Sequence, residues 1–149
     1  MVQITIDAPW HGDPAPEGPP GPLWELWEHE VVEIFIAGPG ERYLEVEMSP
    51  HGHHLVLQLD GVRNVVAREL PMRFSTHRRG ERWTGNAELD ASLLPGGPHR
   101  MNAHAIHGRR GSRQHASLHP TAGPAPDFHQ LDAMRPLEWS RISAQNPSD

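Results

Sequence analysis

The chain has 149 residues, with 13 arginines and no lysine against 19 acids, for a net charge of −6. That length suits one domain with a core of its own, and the acidic balance excludes a general nucleic-acid binder. With no cysteine, disulfides, thiol catalysis and cysteine-held zinc or iron–sulfur centres are excluded too. No apolar run approaches the roughly 18 residues of a membrane span. The start, Met1 to Asp7, lacks the basic and apolar regions of a secretory leader. The expectation is a cytoplasmic protein with neither nucleic acid nor membrane as partner.

Val2 to Ile6 alternates and predicts a strand. Residues 8–22 hold six prolines and three glycines, an extended loop in which no helix survives. Leu23 to Glu30 predicts a turn or one short helical turn. Val31 to Ile36 is β-branched and aromatic and ends at Gly38-Pro39-Gly40, the strongest strand signal in the chain. Arg42 to Met48 follows at hairpin distance, with Leu44, Val46 and Met48 facing one way and Tyr43, Glu45 and Glu47 the other. His54 to Asp60 places Leu55, Leu57 and Leu59 on one face. Asp60-Gly61 predicts a hairpin into a strand over Val62 to Glu69. Met72 to Thr76 and Trp83 to Leu89 predict two strands around the tip Arg78-Arg79-Gly80. Asp90 caps a single turn that Pro95 stops. Arg100 to His107 and Gln114 to Leu118 predict strands, and Phe128 to Trp139 a segment that closes the sheet. Residues 1–142 form one domain, and 143–149 read as a disordered tail. Many short strands with regular turn signals predict an all-β, antiparallel sandwich.

Three residue groups carry candidate chemistry. The first is the twelve histidines, including His51, His53, His54, His104 and His107. On a strand His104 and His107 face opposite ways, and so do His53 and His54, so the pattern predicts surface and loop histidines more than a metal site. The second is Glu33, Glu45 and Glu47 on neighbouring strands. Such carboxylates suit acid–base hydrolysis, Ca²⁺ binding or hydrogen bonds from sugar hydroxyls. Their alternation also fits a solvated sheet face for Glu45 and Glu47. Glu33 differs, because a carboxylate within the most apolar strand needs a partner. The third is Trp24, Trp27 and Trp83. Trp27 sits in a polar stretch just before the Glu33 strand, which suits a ligand-stacking role, whereas Trp83 reads as core.

The stretch Glu25 to Ile36 resembles the Trp-x-x-Asp-x-Val-Glu-h-Phe-h segment of carbohydrate-binding module family nine and its DOMON-like relatives (h is apolar). Arg42 to Gly52, Trp83 to Leu94 and Arg100 to Ala105 are similar to later segments of that family. The patterns E-L-W-x-x-E-V-V-E, Y-L-E-V-E-x-x-P-H-G-x-H-L-V-L, A-I-H-G and P-D-F-H resemble, more specifically, the family of the human chromosome 4 open reading frame 33 product. That family has no established activity. The resemblance covers about residues 2–139 and implies a jelly-roll-like β-sandwich with a sugar site on one face. It implies that Trp27 stacks on the sugar, that Glu33 accepts hydroxyl hydrogen bonds, and that Asn102 contacts the ligand. The family's second stacking tryptophan falls on Ala105, so the resemblance does not carry over a clamp between two aromatics, and His107 or His104 is the candidate to take part instead. A haem role, known for some DOMON relatives, points to Met48 or His107 as axial ligand, but no attachment motif supports it.

The expectation is a non-catalytic module that binds a small sugar or polyhydroxylated ligand through Trp27, Glu33, Asn102, His107 and Glu45. No cofactor is required, with Ca²⁺ or Zn²⁺ left open. The alternatives are a glycosidase-like or metal-dependent hydrolase that uses Glu33 with Glu45 or a histidine, and an interaction domain without a small ligand. Members of the second family begin with a strand before residue 1. The edge left without it favours a homodimer.

Overall fold

The computed structural model describes residues 1–140, and the tail expected over 143–149 lies outside them. Ten strands follow one another: β1 (Val2–Pro9), β2 (Val31–Ala37), β3 (Arg42–Met48), β4 (His54–Asp60), β5 (Val65–Ala67), β6 (Arg73–Arg79), β7 (Arg82–Leu89), β8 (Arg100–His107), β9 (Gln114–Ser117) and β10 (Arg135–Pro136). All pair antiparallel. A small sheet runs β1-β7-β6, and a large one runs β10-β8-β2-β3-β4-β5, with β9 also on the outer edge of β8. The fold is an all-β antiparallel sandwich.

Three local differences from the sequence reading have backbone causes. The strand expected over Val62 to Glu69 shrinks to Val65–Ala67, because Arg63 (φ 60°) and Glu69 (φ 55°) adopt left-handed conformations that turn the chain. The β6 strand runs on from Thr76 to Arg79, since its partner β7 continues to Arg82. The closing segment contributes only Arg135 and Pro136 opposite Met101 and Arg100. Proline offers no N–H to the ladder, which limits that pairing to an edge stub.

The central strands of the large sheet are buried on both faces, for two different reasons. Val2, Ile4 and Ile6 of β1 and Trp83, Ala87 and Leu89 of β7 pack on Leu44, Val46, Met48 and Val56, forming the core between the sheets. The opposite face carries Val31, Phe35, Tyr43, Leu55, Leu57, Leu59 and Ile106. Loops cover it. Leu26, in the short 3₁₀ turn Leu26–Glu28, together with Phe128 and Met134, completes that second core.

Buried polar ties hold the covering loops down. Glu30 accepts from the backbone N–H groups of His11 (2.9 Å) and Asp13 (3.1 Å). Asp13 in turn accepts from Gly108 N–H at 2.8 Å. Arg113 donates to the carbonyls of Gly108, Trp27 and His29 at 2.7, 2.8 and 2.9 Å. Gly108 itself (φ 101°) has no room for a side chain, since a Cβ would lie 2.8 Å from the Ser112 carbonyl. The proline-rich loop and the β8–β9 turn are therefore one polar assembly over the sheet.

Candidate functional site

The register of the β2–β3 hairpin fixes the centre of the site. Glu33 lies directly opposite Glu47, and Phe35 opposite Glu45. On the other side of β2, Glu33 is paired with His104. With a side-chain period of two, all these residues share the loop-covered face. The expectation of a solvated face for Glu45 and Glu47 is corrected here: Glu33, Glu45 and Glu47 are all buried. Alternation separates the two faces of a strand but does not say which is covered, and here both are.

Each of the three carboxyls offers an oxygen within 4.8 Å of the others. Like charges this close cannot all ionise at ordinary cost. Burial raises Glu33 to about 7, against the smaller lowering pull of Glu47 and Arg113. Glu45 is raised well above the usual carboxylate range, by burial and then by Glu33. Glu47 is pushed up to about 11 by burial, Glu33 and Glu45. Neither Glu47 oxygen has a hydrogen-bond donor among the described residues. A protonated Glu47 can instead donate to Glu33 or Glu45.

Above Glu33 and Glu45 opens a cavity of about 380 Å³. Its floor is the sheet face, with Leu57, Leu59 and Ile106 beside the two carboxyls. Trp24, Trp27 and Phe128 form apolar walls, while Arg63, His115 and His129 add polar groups. Trp24 and Trp27 meet edge to face at 5.1 Å, and the Arg68 guanidinium lies 4.5 Å over the Trp24 ring. Arg63 is ion-paired to Asp127 at 2.7 Å, with its side chain 61% exposed. A cavity with mostly apolar walls and a few convergent polar groups is the usual form of a small-molecule site.

His129 is held by Tyr43. The Tyr43 hydroxyl lies 2.7 Å from His129 Nδ1 and accepts from Arg63 N–H at 3.0 Å. The hydroxyl keeps its own proton free to donate to Nδ1, an arrangement in which the ring proton sits on Nε2. Burial and then Arg63 lower His129 to about 4, so it is neutral at neutral pH. Tyr43→Phe strips a partner from both Nδ1 and a partly buried N–H. The expected loss is about 1–2 kcal/mol of unfolding free energy by urea titration. An unchanged midpoint would mean that the hydroxyl does not hold this corner.

Of the five residues singled out for ligand, Trp27, Glu33 and Glu45 meet at this cavity. Asn102 and His107 are not among its lining residues. Asn102 is buried and spends its amide on backbone: Nδ2 donates to the His119 carbonyl, and Oδ1 accepts from His119 and Ala103 N–H. His107 points the other way and stacks on His11 at 3.5 Å. His104 is buried, stacked on Phe128 at 3.9 Å and bonded through Nδ1 to Ser117 Oγ at 2.8 Å. Met48 belongs to the core between the sheets. His53 and His54 are buried rather than surface residues, and His53 Nε2 bonds the Gly18 carbonyl. Sequence reasoning gave no role to Arg63, Phe128 or His129. The P-D-F-H pattern at Pro126 to His129 was the available signal, and three of its four residues line the cavity.

A mouse and a human protein, the latter named UPF0462 protein C4orf33, are 41% and 42% identical to this chain over 95% of its length. The chain covers 78% and 75% of theirs, and a zebrafish homologue is 42% identical over 98% of the chain. The chain belongs to the UPF0462 family. No family model matches the sequence. Among solved structures, a "putative carbohydrate-binding protein" of Bacteroides uniformis superposes with a TM-score of 0.62. That match covers 89% of this chain and 68% of the other, at 15% identity, so it speaks for the fold. Among the described residues, no helix of this UPF0462 chain is long and apolar enough to cross a membrane.

Proposed function

We propose that this UPF0462 protein is a non-catalytic binding module for a small polyhydroxylated ligand such as a sugar unit. The observation that carries the reading is the cavity itself: two tryptophans stand beside a floor that presents buried carboxyls. An indole face packs on the C–H face of a sugar ring, and buried carboxyl oxygens accept from its hydroxyls. Arg63 and His129 Nε2–H supply donors from the opposite side of the bonding inventory. The volume of about 380 Å³ lies within the range for small-ligand pockets. The Bacteroides neighbour supports the reading at the level of fold. The six-residue step from Trp27 to Glu33 supports it through the resemblance to family nine carbohydrate-binding modules. Asn102 and His107 act as structural residues in this reading, because their partners are already within the protein.

Calorimetric titration with a panel of mono- and disaccharides tests it. A saccharide that binds the wild type is expected to bind Trp27→Ala at least about tenfold more weakly, which is about 1.4 kcal/mol. Circular dichroism confirms that the variant is folded. Binding that survives the substitution, or a panel with no binder, defeats the proposal. Turnover of a bound glycoside would replace it with the hydrolase reading, in which Glu33 and Glu45 work as a pair.

A further inference from the structure

The three carboxyls pose a problem that sugar binding alone does not solve. Glu33 and Glu45 line the cavity and can meet a ligand. Glu47 is not among the lining residues. It is fully buried at 0% exposure, with both oxygens lacking a hydrogen-bond partner. An ionised carboxylate in that position is costly unless a cation or a donor reaches it. Its oxygen lies within 4.8 Å of an oxygen from each of the other two.

We propose that Glu33, Glu45 and Glu47 bind a divalent cation of the Ca²⁺ class at the floor of the cavity. The donor set is all carboxylate oxygen, the preference of hard cations over thiophilic metals. Ca²⁺ takes oxygens at about 2.3–2.6 Å, so two ligands of one ion stand up to about 4.6–5.2 Å apart. The triad falls within that span without moving. Mg²⁺ demands about 2.0–2.1 Å and a near-ideal octahedron and usually keeps several waters, which suits a buried, all-carboxylate set less well. Three carboxylates supply between three and six oxygens, short of the six to eight that Ca²⁺ takes when they bind through single oxygens. Because Glu33 and Glu45 border the cavity, the remaining positions open towards it. Water or vicinal hydroxyls of a ligand complete the shell there. The cation site stands without the sugar reading, and only this last step rests on it.

The test uses the full chain stripped with a chelator. Thermal unfolding near pH 7.5 is followed with Ca²⁺, Mg²⁺ or Mn²⁺ alone at millimolar concentration. Ca²⁺ is expected to raise the wild-type midpoint by about 5 °C or more. Glu47→Gln and Glu33→Gln are expected to lose that rise, with circular dichroism showing that both variants are folded. A rise of equal size in wild type and both variants would place the cation elsewhere and overturn the proposal. No rise with any ion would overturn it as well, in favour of a triad that holds protons. The two readings fail separately. Saccharide binding that persists in chelator, with no cation response, removes the cation and keeps the module. A Ca²⁺ response lost in Glu47→Gln, without any saccharide binder, does the reverse.

Discussion

Glu47→Gln is expected to stabilise the protein, by about 2–4 kcal/mol in urea unfolding near pH 8 in chelator. Burial, Glu33 and Glu45 displace Glu47 from 4.5 to about 11. Between those values the folded chain keeps a proton that the unfolded chain releases. Stability from this group is therefore full below about pH 4.5 and falls steadily as pH rises towards the folded value. Glutamine does not titrate, keeps the shape, and can donate to Glu33 or Glu45 from its amide. The gain should accordingly shrink towards zero near pH 4.5. His104 and His129 pull the other way. Both are lowered to about 4 by burial, so their contribution is present above about 6.5 and lost as pH falls through 4. Subtracting variant from wild type at each pH cancels the histidines. A substitution that destabilises near pH 8, or a gain that does not vary with pH, would show that the triad is not strained in this way.

Arg113→Ala is expected to cost about 3 kcal/mol, or about 6–12 °C in melting midpoint. The guanidinium is only 19% exposed and reaches three backbone carbonyls, with Asp13 at 3.9 Å. Its loss leaves Gly108, Trp27 and His29 without those donors and Asp13 without its nearest cation. Because Trp27 is one of the three, any ligand that rests on the indole should also bind more weakly, even in the fraction that stays folded. Arg113→Lys restores the charge but not the fork, so it is expected to recover less than half of the loss. Chemical denaturation of the three forms decides this, and a cost below about 1 kcal/mol for the alanine form would mean that the loops are held by their apolar contacts instead.

The sandwich and most of its strands were legible because alternation and turn residues agree along the chain. Val31 to Ala37 is bounded by Gly38-Pro39-Gly40, and Arg42 to Met48 alternates cleanly, so the hairpin and its register follow. From that register the opposition of Glu33 and Glu47 could be read directly. Burial of Glu45 and Glu47 could not, because it depends on loops whose path has no period. Residues 10–30 pack down through Glu30, Asp13 and Arg113, and residues 118–133 through Asn102, Arg100 and Arg63, contacts far apart in sequence. Trp27, Glu33 and Glu45 were reachable since strand position and local polarity point to them. His129 and Arg63 were not, as each comes from a turn or loop and owes its place to Tyr43.

The β3 strand shows what this two-sided burial implies for tolerance to change. Its even-numbered residues Leu44, Val46 and Met48 belong to the core between the sheets, and Glu45 and Glu47 to the site. The core between the sheets and the carboxyl cluster thus occupy alternate letters of one seven-residue word. Glu45 and Glu47 can change without touching the core between the sheets, whereas a single inserted residue would exchange the two faces and destroy both.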